Sequence, residues 1–263
     1  MTSPCVCRLN GLDPRDLDPA LVVVDIIEHA PAVERKTASV AGRNGSRVTK
    51  ARLGSLSVSV RFELHDLDPA RRRHLCRALA RWAAPGGMLT LGDRPGQQLR
   101  VVCDAPPVIG STMGWTQPVT VRFTAWDTPF WEAEAATSAH SSTAKEGTVL
   151  LRPGGDLPVP MEAQLRNASQ SIINSVAVSD GEQIIRLSGL AMAPGEVLVI
   201  DHDERALIRM VLRGADGSPR SVLALREAES DDEIIIDGQR TARVSFSADA
   251  EVIATFSARA RWL

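Results

Sequence analysis

The feature that most constrains this chain is an unbroken alternation ending at Leu64. Leu56, Val58, Val60, Phe62 and Leu64 alternate with Ser55, Ser57, Ser59, Arg61 and Glu63, the period of two that belongs to a strand buried on one face. Beyond it the period changes. Asp68 suits a helix N-cap and Pro69 the first helical position, and Leu75, Ala78, Leu79 and Trp82 recur at helical spacing until Pro85-Gly86-Gly87 ends the run. A short strand over 88–91, a turn at Gly92-Asp93-Arg94-Pro95-Gly96 and a partner strand over 98–103 complete a loop–strand–helix–hairpin block that begins near Gly42.

The 263 residues, 44% of them apolar, suffice for one large or two ordinary domains. With 30 basic against 32 acidic residues there is no overall field to draw nucleic acid or an anionic membrane, so either partner would need a local patch. Lysine is confined to Lys36, Lys50 and Lys145, an arginine bias that matches GC-rich coding. The apolar run over 21–27 is interrupted by Asp25 and falls far short of the roughly 20 residues that span a bilayer. Met1-Thr2-Ser3-Pro4 lacks a signal-peptide start, so folding in a cytoplasm is expected. The four cysteines then read as reduced: Cys5 and Cys7 are closely spaced, Cys76 lies beside the helix core and Cys103 in a strand. The triplets starting at Asn44 and Asn167 read as loop composition.

The sequence divides once. Strands near Val108-Ile109 and over 119–125 lead to Trp126, Phe130 and Trp131, giving a first domain over 1–133. Residues 134–148, rich in Ala, Ser, Thr and Glu, read as a linker. From 149 to 263, strands are expected over 161–166, 172–178, 183–187, 197–201, 206–212, 234–237, 241–246 and 251–262, a spacing that suits an antiparallel β-sandwich. The charged stretch 213–232 fits no simple hairpin. The expected class is mainly β: an α+β N-terminal domain of sandwich and hairpin with one amphipathic helix, then a C-terminal antiparallel sandwich.

Sequence motifs for chemistry are scarce. His29, His65, His74, His140 and His202 form neither H-E-x-x-H nor a Cys/His cluster, and there is no nucleophile elbow, P-loop or dinucleotide fingerprint. No catalytic, cofactor or metal residue is assigned, and no cofactor is expected. Asp201-His202-Asp203-Glu204-Arg205 is the densest polar cluster, but its place between two strands suits a solvated hairpin turn.

The order of elements, the glycine-bracketed loop Gly42-Arg43-Asn44-Gly45, the helix closing on Arg81-Trp82 and Leu91-Gly92-Asp93 before the hairpin resemble the N-terminal domain of the distal tail protein family of long-tailed, siphovirus-type bacteriophages. The likeness extends more weakly to the second half, where Ile234-Ile235-Ile236-Asp237-Gly238 precedes a long terminal strand and the family carries a galectin-like sandwich. The resemblance implies a non-enzymatic virion protein, assembled in the host cytoplasm. It would form a homohexameric ring at the tail's distal end, between the tail tube and the tip or hub protein, with fibres or receptor-binding proteins anchored on the second domain. DNA would pass through the lumen.

Two surfaces are candidates for assembly. One is the loop region with Arg43, Asn44, Arg47, Lys50 and Arg52, which reads either as a flexible excursion before the strand or, as the resemblance implies, as part of a loop or hairpin by which neighbouring subunits engage. The other is the helix face carrying Arg73, Arg77 and Arg81, opposite the apolar stripe, which is either a solvated face or an arginine contact surface. The runner-up is a monomeric carbohydrate-binding or adhesion module. The second half offers it few aromatic platforms, only Phe246, Phe256 and Trp262. A hydrolase with dispersed carboxylates is a third reading.

Overall fold

The computed structural model describes residues 6–39, 46–66, 68–202, 207–214 and 216–263. It divides into two compact units, one running to Glu132 and including Leu263, the other Ala133–Trp262.

In the first unit, β1 (Cys7–Leu9), a one-turn helix α1 (Pro14–Leu17) and β2 (Leu21–His29) lead to a hairpin of β3 (Val33–Ser39) and β4 (Ser46–Leu53). Then come β5 (Leu56–His65), α2 (Pro69–Ala83), β6 (Gly87–Leu91), β7 (Gln97–Val101), β8 (Val108–Ile109), β9 (Thr116–Ala125) and β10 (Trp131–Ala133). A four-stranded sheet runs β2-β5-β9-β8, and a second runs β1-β6-β7-β10. The alternation that dominates the sequence is β5, central in its sheet, with Leu56, Val58, Val60, Phe62 and Leu64 all fully buried.

Helix α2 starts where the cap residues require. Asp68 accepts from Ala70 N at 2.9 Å with Pro69 next in the chain. Leu75, Cys76, Leu79, Trp82 and Ala83 are buried and Ala78 is half-buried. The Trp82 indole stands edge-on to Phe62 of β5 (6.0 Å) and Phe123 of β9 (5.9 Å), while its N–H donates to Leu12 O at 3.2 Å. The helix must then reverse into β6 within a few residues. Gly86 and Gly87 hold φ of 62° and 128°, and a Cβ on Gly86 would lie 2.5 Å from Val101 O, so both the dihedral and the space call for glycine. Asn10 closes this corner, donating to Gly86 O and accepting from Met88 N, each at 2.9 Å. Trp131 is fully buried, donates to Glu28 Oε1 at 3.1 Å and carries the Arg94 guanidinium 5.0 Å from its ring centroid.

The second unit contains β11 (Thr137–His140), β12 (Ala144–Leu151), β13 (Val159–Asn167), β14 (Ile173–Ser179), β15 (Ile184–Met192), β16 (Val197–His202) and β17 (Ile208–Arg213). These are followed by β18 (Pro219–Ser221), a short 3-10 turn over Leu223–Leu225, β19 (Ile235–Ile236) and β20 (Ala242–Ala258). All pairings in this curled sheet are antiparallel, and β20 is its spine. One edge of β20 pairs with β14 over 245–248 and then with β13 over 252–258; the other pairs with β12 and then β11. Val244, Phe246, Ala250, Val252, Ala254, Phe256 and Ala258 point into one core.

Three sequence expectations are corrected. Residues 134–148 are no linker: β11 and most of β12 lie there and bond to β20, because polar, small side chains on outward positions do not prevent the backbone from completing a ladder. The strands expected over 241–246 and 251–262 are mostly one strand, β20, since Ala248 and Ala250 keep the inward phase across the polar residues Ser247 and Asp249. The charged stretch 213–232 contributes β18 and then caps the edge of β15, with Asp231 accepting from Ile184 N at 2.7 Å and Ser230 from Arg186 N at 2.8 Å.

Asn167, read as loop composition, is a buried junction. Its Nδ2 donates to Ser171 O (2.8 Å) and Met192 O (3.0 Å), and its Oδ1 accepts from Ser169 N (3.0 Å) and Ser169 Oγ (2.8 Å). The chain enters and leaves this unit at one place: Ala133 N donates to Ala260 O at 2.9 Å, and Arg259 donates to the carbonyls of Ala133 and Glu134.

In unit one, Asp13 is held below the usual carboxylate range by hydrogen bonds from the Arg15 guanidinium, and Asp18 by the Ala20 N–H and then Arg71. Burial pushes the Cys7 thiol up to about 12, leaving it protonated.

Asn167→Asp keeps the shape but loses both donors, and is expected to cost about 3 kcal/mol in urea unfolding. Because Asp13 and Asp18 have depressed values in the folded state, their stabilisation is present above pH 3.8 and is lost as the pH falls through the folded value. Asp13→Asn should lower stability at pH 7 and flatten the acid limb of a stability–pH curve.

Candidate assembly surface

The loop region proposed from sequence is a hairpin arm. β3 and β4 pair only with each other, as a two-stranded sheet, from Val33↔Leu53 to Ser39↔Ser46. Val33 to Ala38, Val48 to Lys50 and Arg52 are all exposed, so among the described residues these side chains of the arm form no core. An isolated two-stranded hairpin is marginal in water. Of the sequence candidates, Arg52 lies opposite Glu34 and bonds to it at 2.7 Å, and Lys50 lies opposite Lys36. Arg47 has a place on β4 opposite Ala38, with its side chain outside the described residues; Arg43 and Asn44 lie outside them altogether, as does Cys5.

Arg73, Arg77 and Arg81 form the second candidate group, on the exposed face of α2, and none makes an ion pair among the described residues. Their neighbours Arg71 and Arg72 are used internally. Arg71 bridges Asp18 (3.0 Å) and Asp66 (3.1 Å), and buried Arg72 donates to Asp66 O at 2.6 Å. The arm and the ridge sit on separate elements.

A third surface was not found from the sequence. In the sheet β2-β5-β9-β8 both end strands carry exposed apolar side chains: Val24 (39%) and Ile27 (48%) on β2, Val108 (69%) and Ile109 (53%) on β8. Met113 (64%) and Trp115 (54%) continue the β8 end. This loop is ordered. Met113 and Thr116 exchange backbone hydrogen bonds, Gly110 N donates to Pro118 O, and Trp115 stands edge-on to His65 with ring centroids 4.7 Å apart. An apolar dipeptide such as Val108-Ile109 reads as buried from sequence; the only hint was its brevity, between Pro106-Pro107 and Gly110.

Phe246 and Phe256 are buried against each other at 6.2 Å, so neither presents a ring face to solvent. Asp201 is engaged by Arg209 at 2.6 Å across β16 and β17, and His202 Nε2 lies 3.0 Å from Glu233; residues 203–206 lie outside the described set. Among the described residues no three His, Cys, Asp or Glu side chains could hold a metal ion, and no helix is long and apolar enough to cross a membrane. Cys7, Cys76 and Cys103 are free thiols.

No family model matches the chain, and no curated protein matches it by sequence. Its three-dimensional form is similar to the crystal structure of the Dit (gp 19.1) protein of phage SPP1, described as a paradigm of the hub adsorption apparatus in phages infecting Gram-positive bacteria. The match covers 98% of this chain and 99% of that one, with a TM-score of 0.72 at 15% identity. This is the fold of a siphovirus distal tail protein. Phage P2 baseplate structures in the activated conformation, with Ca and with Sr, align over 99% and 97% of this chain and 98% and 97% of theirs. Their TM-scores are 0.47 and 0.46, at 10% and 9% identity, too low to bear on the fold. The Dit fold spans both units, including the strands β11 and β12 that the sequence had suggested as a linker.

In the dissociated chain, the amides of β3 and β4 are expected to exchange orders of magnitude faster than those of β5 and β9, and trypsin should cut first at Arg35, Lys36, Lys50 or Arg52. Hydrogen-exchange mass spectrometry of the monomer measures this directly.

Proposed function

We propose that this chain is a structural virion protein that closes into a hexameric ring at the distal end of a phage tail. The ring would join the tail tube to the tip or hub protein, with the second unit as an anchor for fibres or receptor-binding proteins and DNA passing through the lumen. The observation that carries the reading is the open sheet of the first unit. Among the described residues its end strands β2 and β8 each pair with a single strand, and each exposes apolar side chains, so one end of a copy would match the other end of the next. A head-to-tail contact of this kind closes into a ring when its rotation divides a full turn. The Dit fold over the whole length supports it. Near-balanced charge suits a lumen that passes DNA without holding it. A non-catalytic role is the reading most consistent with the sparse chemistry of the surfaces. Copies of this protein would reside in virions, after assembly in the host cytoplasm.

Purified protein is expected to give a mass near six times 28.3 kDa by native mass spectrometry, with ring-shaped particles in negative stain. The double variant Val108→Lys, Ile109→Lys places charge on an exposed edge. It should fold with a stability change within about 0.5 kcal/mol yet remain monomeric. Rings of normal mass in that variant would remove the β8 edge from the interface, and a monomeric wild type that binds glycans would favour the adhesion reading.

A further inference from the structure

Helix α2 contains five arginines and no acidic residue. Two of the five serve the fold: Arg71 bridges Asp18 and Asp66, and buried Arg72 donates to Asp66 O. The other three lie on the outward strip, where Ala70, Arg73, His74, Arg77, Arg81 and Ala84 are all exposed. Arg73, Arg77 and Arg81 make no ion pair among the described residues. Steps of four residues set neighbouring arginines about 6 Å apart along the axis and about 12 Å from first to last, within an arc of about 80°. Like charges at this spacing repel and weaken a helix, and no carboxylate on α2 offsets them. The line is also held straight from behind, because Trp82 on the opposite face is wedged against Phe62 and Phe123.

We propose that Arg73, Arg77 and Arg81 bind the phosphate backbone of duplex DNA without reading its sequence. Charge complementarity and spacing select this occupant. One strand of a duplex presents a phosphate about every 3.4 Å of axis, so a 12 Å ridge faces roughly three to four of them, and each guanidinium has an anion to fork. The strip bears no aromatic side chain to stack on a base, and phosphates are alike in every sequence. Carboxylates of a second copy fit less well. In the acidic run from Glu227 to Glu233, three of the five carboxylates are engaged: Asp231 with Ile184 N, Asp232 with Arg226 and Glu233 with His202. Only the source of the DNA rests on the ring reading, in which a duplex runs through the lumen past this helix; the phosphate contact stands on the ridge. Three such contacts are weak and salt-labile, which lets a duplex slide.

The test is fluorescence anisotropy of a labelled DNA duplex with the full-length protein across a salt series, with native mass spectrometry of the same samples. Glutamine replaces arginine because the two have similar helix propensity, and circular dichroism checks the fold. For each ridge engaged, log K against log[salt] should fall with a slope near −2.7, a loss of about fortyfold between 50 and 200 mM. Arg77→Gln should flatten that slope by about a third, and the triple variant Arg73→Gln, Arg77→Gln, Arg81→Gln should abolish binding, whereas Lys36→Gln, Lys50→Gln on the arm should leave it intact. A wild type that ignores the duplex in 50 mM salt, or a triple variant that binds as the wild type does, would overturn the inference. So would loss of rings in the triple variant with no DNA binding by the wild type, which assigns the ridge to a carboxylate-bearing protein surface. Rings without DNA binding leave the ring reading standing alone, and a monomer that binds DNA through the ridge leaves the phosphate contact standing alone.

Discussion

The second unit depends on one strand using both of its backbone edges. Every N–H and C=O of a buried strand needs a partner, and β20 meets that demand by taking two successive neighbours on each side, β14 and β13 on one edge, β12 and β11 on the other. The handover occurs where β13 gives way to β14. There Asp249 accepts from Asn174 N, Glu251 O accepts from Ala168 N, and Asn167 ties the connecting turn to the ends of neighbouring strands. Because the inward residues keep one phase throughout, a single core runs the length of the strand from Val244 to Ala258. The far edge of the sheet is treated differently: the side chains of Ser230 and Asp231 occupy the N–H groups of β15 that another strand would use.

The first unit leaves its edges available. Its interior is well fixed, with Trp82 wedged edge-on against Phe62 and Phe123 and Trp131 sealed by Glu28 and Arg94. Yet the sheet β2-β5-β9-β8 ends on both sides in strands with exposed valine and isoleucine, and the described side chains of the β3–β4 arm carry charge without forming a core. A protein confined to solitary function would gain by blunting such edges. In the first unit these exposed edges stand beside a rigid core.

Much of this was legible in the sequence where side-chain periodicity dictates structure. The alternation of β5, the Asp68 cap, the helix stripe and the Gly86-Gly87 stop all act through local sterics and hydrogen bonds. What was not legible depends on pairing between distant segments. The polar outer positions of β11 and β12 look the same in a ladder as in a linker, and Ser247-Ala248-Asp249-Ala250 resembles a turn unless the two flanking strands are known. At the candidate surfaces, the charge of the arm could be read, but its isolation could not. The exposure of Val108 and Ile109 was hidden because burial is a property of the sheet's width, which no single strand encodes.

The meeting of Ala133 with Ala260 has a consequence for how such proteins diversify. Since the second unit opens and closes at adjacent backbone positions, clamped by Arg259, its internal folding makes no demand on the spacing of the segments outside it. Any independently folding module whose ends lie one hydrogen bond apart would satisfy the same geometry. Exchange of such a module by recombination would leave the residue spacing of the first unit untouched, so the two halves can change in sequence independently.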